Sequence, residues 1–254
     1  LQQNDSAIHI LNKLIGIRQL PATLRAEAKL TLADIYLLDG QPWESALLYP
    51  QVDKEMKEST LGYEAKLRNA RLAYYRGDFK LAEEYLDILK LATSREIAND
   101  ALQLSIFIKT NSALDSSDAA LKKYAHIELL LRQNRVAEAE AAIDTVLQVY
   151  EGHLLTDDLL YLKADIRKKA GDFATAASLY QKIVDDYGSG LLGDKAYYQL
   201  GMLYEGQLKD HTKAMDVYSD FLHRYPGSIY ATEVRKRYRV LRGDAHFVPD
   251  KEVN

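Results

Sequence analysis

Gly188, Gly190 and Gly193 stand at the G-x-G-x-x-G spacing in YGSGLLGDK. After a strand and before a helix, that spacing lets backbone N–H groups approach a dinucleotide pyrophosphate. The residues leading in, GDFATAASLYQKIVDDY, instead place Phe173, Ala176, Ala177, Tyr180, Ile183, Val184 and Tyr187 three or four apart, the period of one helix face. With no strand before them, the glycines predict an interhelix turn, and no cofactor-binding residue is assigned.

Acid–base and metal chemistry find little support. His9, His126, His153, His211, His223 and His246 are scattered, with no pair at i, i+4 and no H-E-x-x-H, so no metal ligands are assigned. Asp157-Asp158 and Asp185-Asp186 are adjacent in sequence, and adjacent residues on a helix point about 100° apart, so they do not converge on one atom. Thr156 followed by two aspartates reads as a helix N-terminus, where the dipole favours negative charge, and Glu83-Glu84 reads as a solvated face. No serine sits in a G-x-S-x-G elbow, and without cysteine there is neither thiolate chemistry nor a disulfide framework. No catalytic residue is assigned.

Two residue sets point to binding instead. The chain has 18 Tyr against 5 Phe and 1 Trp, and tyrosine suits half-wet recognition surfaces. Among them Tyr124, Tyr161 and Tyr198 recur at intervals of 37. In EVRKRYRVLRGD, Arg235, Arg239 and Arg242 lie at i, i+4, i+7 on one helix face, beside Lys236 and Arg237. Such a face either grips phosphates, lipid headgroups or an acidic partner, or forms a charged cap that complements a helix C-terminus. It lacks the aromatic platform that would speak for nucleic acid. Arg242-Gly243-Asp244 reads as a helix ending at Gly243.

What positions these residues is a repeat. YEGHLLTDDL from Tyr150, YGSGLLGDKA from Tyr187 and YPGSIYATEV from Tyr225 are three copies of one turn. In each a tyrosine ends a helix, polar, Gly or Pro residues break it, and Leu154, Leu191 or Ile229 opens the next. An alanine precedes each tyrosine by eleven residues, and these markers, Ala139, Ala176 and Ala214, are 37 and 38 apart. Further back, Ala46 and Ala82 are 36 apart, and the residue fifteen after each marker is aliphatic: Leu61, Ile97, Leu154, Leu191 and Ile229. A period of this length built only from helical pattern predicts helix-turn-helix units that bury their apolar faces by stacking.

The segment YYQLGMLYEGQLKDHTKAMDVYSDFLHRYP resembles a tetratricopeptide repeat. Tyr197 stands where that family often has Trp, followed by Leu200, Gly201, Tyr204, Ala214, Tyr218 and Pro226, with one residue inserted before Ala214. Ala164, Gly171, Ala176 and Tyr180 match in the preceding repeat, and Ala70, Gly77, Ala82 and Leu86 in an earlier one. The resemblance covers most of the chain. It implies an all-α fold, a right-handed α-solenoid of stacked antiparallel helix hairpins, with about 12–13 helices and no β-sheet. It also implies a non-catalytic interaction or scaffold module that takes a protein or peptide in a concave groove. In the family, the position of Tyr124, Tyr161 and Tyr198 faces that groove, and the same register adds Glu128, Leu131, Asp165, Lys168, Met202 and Glu205. Lining the groove would set the tyrosines in a row with exposed hydroxyls. Packing against neighbouring helices uses the same face.

The unit is longer than the family's usual 34 or so residues. Its YPGS helix ending is similar to repeats of bacterial cell-envelope proteins in this superfamily, among them outer-membrane assembly lipoproteins and the Tol-Pal coordinator. That resemblance implies a periplasmic or envelope-associated chain with a structural or assembly role, attached peripherally through residues outside this sequence. The lack of cysteine leaves the cytoplasm open as well. An enzyme on a helical scaffold is the third reading, and it would need a closed pocket with convergent carboxylates.

Organisation departs from regularity in two places. From Ala82 to Ala139 is 57 residues, which predicts an extra helix near SREIANDALQLSIFIKTN, then a loop with Ser116 or Ser117 as N-cap, and then a helix from 117 to 133 pairing with 135 to 150. The chain therefore divides into tetratricopeptide-like blocks 1–112 and 113–243, continuous with each other, and a tail, 244–254. At the start, DSAIHILNKLIGIRQLP reads as a lone second helix of a unit, with Ala7 near the marker position. LQQND carries neither initiator Met nor signal peptide, which predicts a processed chain or a piece of a longer one, truncated in mid-repeat. An exposed apolar edge at Ile8, Ile10, Leu11 and Leu14 follows from that reading. Pro50 predicts a kink or break near Tyr49, whereas Pro21 and Pro42 suit helix starts.

Composition sets the outer bounds. With 254 residues, 47% hydrophobic, the chain can bury a large core, and a net charge of −4 with mixed signs creates no field favouring nucleic acid or an anionic membrane. No apolar run approaches the roughly 20 residues of a membrane span.

Overall fold

The computed structural model describes residues 2–92, 94–112, 118–150 and 152–244, and among them the helical periodicity becomes thirteen α-helices and no strand. They are α1 (Gln2–Ile15), α2 (Ala22–Leu38), α3 (Pro42–Glu55), α4 (Thr60–Tyr75), α5 (Phe79–Leu89), α6 (Arg95–Ser112), α7 (Ala119–Arg132), α8 (Val136–Val149), α9 (Thr156–Lys169), α10 (Phe173–Tyr187), α11 (Gly193–Gly206), α12 (His211–Arg224) and α13 (Ala231–Arg242). Within each of two units, α1–α8 and α9–α13, consecutive helices pack on one another as hairpins, an all-α solenoid arrangement. Two compact units result, Leu1–Tyr150 and Glu151–Asn254, so the division falls after α8, where the sequence reading places it at residue 112.

The turn inside a hairpin is fixed by backbone chemistry. Gly77 (φ 74°) and Gly171 (φ 82°) end helix A in the left-handed region, where glycine carries no Cβ penalty. The next residue, Asp78 or Asp172, caps helix B by accepting from the N–H of Leu81 at 3.3 Å or Thr175 at 3.2 Å. Between α11 and α12, where the extra residue is inserted, Lys209 takes the left-handed position and Asp210 accepts from Lys213 N–H at 3.1 Å. Asp-capped turns therefore survive the insertion.

Helix B seats on helix A through the marker position. Ala82, Ala139, Ala176 and Ala214 are fully buried there. In the first complete hairpin the buried residue is Ser45 and not Ala46: the Ser45 hydroxyl donates to Ala33 O at 2.7 Å, while Ala46 is partly exposed. The step from Ser45 to Ala82 is 37, so the period is more regular than alanines alone signal. Four residues after the marker a buried tyrosine runs back onto helix A in three hairpins, Tyr49, Tyr180 and Tyr218. A Cβ at Gly201 would lie 2.3 Å from Tyr218 Cε1, so glycine is what lets α12 come this close to α11.

Other expectations are corrected by the packing geometry. Leu191 and Ile229, read as opening helices, sit 88% and 86% exposed at the tips of turns, and Leu154 is exposed as well. The helices start two residues later, at Thr156, Gly193 and Ala231, so in these three copies the aliphatic position reports the turn, whereas Ile97 is buried within α6 and Leu61 packs on the core from within α4. Pro50 does not break α3, which runs unbroken from Pro42 to Glu55. Pro50 is exposed while Tyr49 and Val52 are buried on either side of it, so core contacts hold both halves of the helix. Ser116 and Ser117 lie outside the described residues; α7 begins at Ala119, after Asp118 with φ 51° and no side-chain cap.

At the first edge, α1 packs on α2, and Arg25 caps its end by donating to Ile15 O at 2.9 Å and Ile17 O at 2.8 Å. Ile10 is 63% exposed there, and Ile8, Leu11 and Leu14 are half-buried.

Candidate functional site

The inner face of a hairpin array is the row of helix-A residues that neither the marker nor the buried tyrosine occupies. In the first unit α7 lies across that row. Tyr74 Oη of α4 donates to Glu128 Oε2 at 2.7 Å, and Gln133 Nε2 donates to Leu37 O of α2 at 2.9 Å. Leu129 packs against the cluster of Ala26, Leu30, Ala33 and Leu37. Burial pushes the Glu128 carboxyl above the ordinary glutamate value, partly offset by the Tyr74 hydroxyl and Arg71. Tyr124 is only 7% exposed, with its ring 5.0 Å from Phe107 of α6. Tyr124 and Glu128 are thus held inside this unit, and Leu131 is half-buried beside them. In this unit the tyrosine position serves packing, and no exposed hydroxyl row passes through it.

In the second unit none of its own described helices packs across the corresponding row. Tyr180 Oη donates to Asp165 Oδ1. Lys168 Nζ stands 3.3 Å from the same oxygen and donates to Gln199 Oε1 of α11 at 3.0 Å. One repeat on, Tyr218 Oη donates to Glu205 Oε2 at 2.5 Å and touches Met202 Sδ at 3.6 Å, and Arg237 Nη1 of α13 reaches Glu205 at 3.2 Å. Burial first, and then the adjacent carboxylate, keeps both phenols far above the usual tyrosine range, so they stay donors. Each acid on this floor is therefore matched by a hydroxyl and a cation. The floor carries little unbalanced charge.

Aromatic rings occupy the side of this face near the start of each helix A. Tyr161 is 9% exposed, its ring 5.4 Å from Tyr180, with Lys195 Nζ 4.5 Å over its centroid. Tyr198 is half-buried and stacks on Tyr230 at 4.6 Å with an interplanar angle of 9°. The structure thus gathers Tyr161, Asp165, Lys168, Tyr198, Met202 and Glu205 along one unit's face, and adds Lys195 and Tyr230. Sequence reasoning passed over these two. The available signals were Lys195 at one helical turn before Tyr198, and Tyr230 as the residue immediately before α13.

The glycine fingerprint is closed on itself. A Cβ at Gly193 would lie 2.1 Å from Gly188 O, and that carbonyl accepts from Tyr225 Oη of the next turn at 2.7 Å. The spacing therefore serves a tight interhelix turn. A groove of about 760 Å³ lies open along α10 and α12, and its acids are already engaged: Asp186 with Lys182 at 2.6 Å, Asp185 with Gln181 at 2.8 Å, and Asp210 as a cap. Among the described residues no three His, Asp or Glu side chains gather as a metal site, and no helix is long and apolar enough to cross a membrane. On α13, Arg237 is held by Glu205 and by Glu233 at 2.8 Å, and Arg242 pairs with Asp244 at 2.6 Å, while Arg235 and Arg239 are exposed.

The tetratricopeptide repeat family model matches residues 124–189 and, overlapping, 161–229. The matched residues run from α7 to the turn before α13. No curated protein matches the chain.

Proposed function

We propose, from the match of residues 124–229 to the tetratricopeptide repeat family model, that the chain is a non-catalytic interaction module whose binding groove is the inner face of α9, α11 and α13. Repeats of this family mediate protein–protein interaction, and a rigid array binds by offering a preformed surface. The observation that carries the reading is the half-exposed Tyr198–Tyr230 stack, 4.6 Å between centroids, on a floor whose charges are paired. Stacked rings lose little entropy on binding and desolvate cheaply, so a protein or peptide segment would anchor there, with Tyr161 and Lys195 beside it. In the first unit the same face is already filled by α7, so it offers no groove of its own.

The test is capture from an extract of the source cells on immobilised wild type, Tyr198→Ala and, as a control on a remote exposed cation, Lys80→Glu. Species retained by wild type and Lys80→Glu but lost from Tyr198→Ala support the groove. Undiminished capture by Tyr198→Ala removes it. A place in a bacterial envelope complex is a second reading, supported by the Tyr225–Ser228 helix ending alone; fractionation of the source cells tests it, and recovery with the cytoplasm ends it.

A further inference from the structure

Hydrogen-bond donors and acceptors are unequally satisfied on the inner face of α9, α11 and α13. The acceptors of its floor are taken. Asp165 accepts from Tyr180 and stands 3.3 Å from Lys168, and Gln199 accepts from Lys168 at 3.0 Å. Glu205 accepts from Tyr218 and Arg237, and Asp194 accepts from Ser228 Oγ at 2.6 Å. The donors beside them are not taken. The hydroxyls of Tyr161, Tyr198 and Tyr230 donate to no acceptor among the described residues, and none of the three is shut off from water. Lys195 Nζ, 4.5 Å over the Tyr161 ring, has no carboxylate or carbonyl partner among them either.

These donors lie together. Tyr198 and Tyr230 are half-buried and stack at 4.6 Å. Burial first, and then Asp165 and Tyr230, raises the Tyr161 phenol; burial, and then Asp194 and Tyr198, raises that of Tyr230. Both therefore remain protonated donors at neutral pH. On this floor Asp165, Asp194, Glu205 and Glu233 stand against Lys168, Lys195 and Arg237. No surplus of positive charge is left over to attract an anion, so the unused donors call for a neutral ligand.

Resting on the groove reading above, we propose that the partner segment this face takes is proline-rich and extended. A ligand matched to free phenol and ammonium groups must offer acceptors and bring few donors of its own. Polyproline II does so: proline has no N–H, and the conformation makes no internal hydrogen bonds, so its carbonyls stand ready for outside donors. Its pyrrolidine rings pack on tyrosine, and the segment is already stiff before it binds, so little entropy is lost. A helical partner fits less well, because an α-helix uses its own carbonyls internally and would leave the three hydroxyls without acceptors.

The probe is a fluorescein-labelled decaproline, with glycine–serine and glutamate peptides of equal length for comparison. Anisotropy is measured on the full chain at low and at physiological salt. Decaproline should bind saturably and alike at both salts, since no ligand charge is involved, and the glycine–serine peptide should bind more weakly. Tyr198→Phe/Tyr230→Phe keeps both rings and removes two donors, and should lose at least about fivefold in affinity with an unchanged melting temperature. Tyr204→Phe, under Lys213 of α12, should bind as wild type. The proposal is overturned if decaproline does not bind, if the double variant binds as well as wild type, if Tyr204→Phe loses as much, or if the glutamate peptide binds better. It is overturned too if Phe247→Ala/Pro249→Ala raises affinity about tenfold, which would give the groove to the chain's own tail. Failure of decaproline while Tyr198→Ala still loses the species that wild type captures would strike the ligand class and leave the groove standing; undiminished capture by Tyr198→Ala would remove the groove itself.

Discussion

The last two residues of α4 are Tyr74 and Tyr75, with α7 lying on them; at the same register α11 ends in Glu205 and Gly206, and no helix of its unit crosses there. On α2 the register holds Leu37, on α9 Lys168. One hairpin design thus yields two inner faces. Where the row is aromatic and aliphatic, the chain covers it with its own helix, because leaving that much apolar surface wet is costly. Where that register instead holds Lys168 and Glu205, tied to Asp165, Tyr218 and Arg237, the row is satisfied without a covering helix of its unit; the tie of Asp34 to Tyr49 and Arg68 shows that the first unit has such a contact too, beside its apolar row. The openness that suits a binding module is a property of residue types at four or five positions per helix, not of the repeat fold.

The sharpest way to break this comparison is to remove one tyrosine from each face. Tyr74→Ala deletes a buried ring and the hydroxyl that holds Glu128, and should cost about 3–5 kcal/mol in urea denaturation. Tyr198→Ala, at the half-exposed stack, should cost about 1 kcal/mol or less. Equal losses would mean that the second face is as much a core as the first. A smaller effect comes from the contact that spaces α11 from α12. Gly201→Ala forces a Cβ against the Tyr218 ring and should lower stability by about 1–3 kcal/mol, although alanine is the better helix former. A gain in melting temperature would show that α12 has slack to move.

How far the fold could be read beforehand follows the same division. The hairpins were legible because marker, tyrosine and Asp-capped turn are local signals with fixed offsets, and even Ser45 for alanine keeps the 37-residue step. The path of α7 was not. A 57-residue step says that a helix is added, but whether the next helix continues the stack or returns over α4 depends on contacts such as Tyr74–Glu128, 54 residues apart. The same long-range choice decides Tyr124. Its spacing matches Tyr161 and Tyr198, yet Phe107 comes to rest on it. Exposure of Leu191 and Ile229 was hidden as well, since an aliphatic at a helix start reads as core unless the turn that tips it outward is known.

If the open face binds, Tyr198 should separate affinity from stability. Against whatever species the wild-type chain captures, Tyr198→Ala should lose about 1–2 kcal/mol of binding, the usual cost of removing an aromatic anchor. Tyr124→Ala should destabilise the first unit and leave affinity unchanged, provided the chain stays folded. The reverse outcome would return Tyr124 to the groove and Tyr198 to the core.

The finest contrast is in pH. Burial raises the Glu128 carboxyl above its ordinary 4.5 in the folded chain, so between the ordinary and the raised value the folded state holds a proton that the unfolded state lacks. Stability from this site is fully present below the ordinary value and is lost as pH rises through the folded one. Asp172 behaves oppositely. Its cap hydrogen bonds with Thr175 hold its carboxyl below the ordinary 3.8, so that contribution is present above the ordinary value and is lost as pH falls through the folded one. Mild acidification from neutral, ending above the range where Asp172 titrates, should therefore tighten α7 on α4 while leaving the α9–α10 turn unchanged. Stronger acid should loosen that turn. Hydrogen exchange of peptides covering 119–132 and 173–187, corrected for intrinsic rates, reads both. In Glu128→Gln the α7 response should vanish and the α10 response remain. A wild-type α7 that loses protection on mild acidification would mean that the Tyr74–Glu128 bond prefers the carboxylate strongly enough to outweigh burial, and that the covered face is held by charge after all.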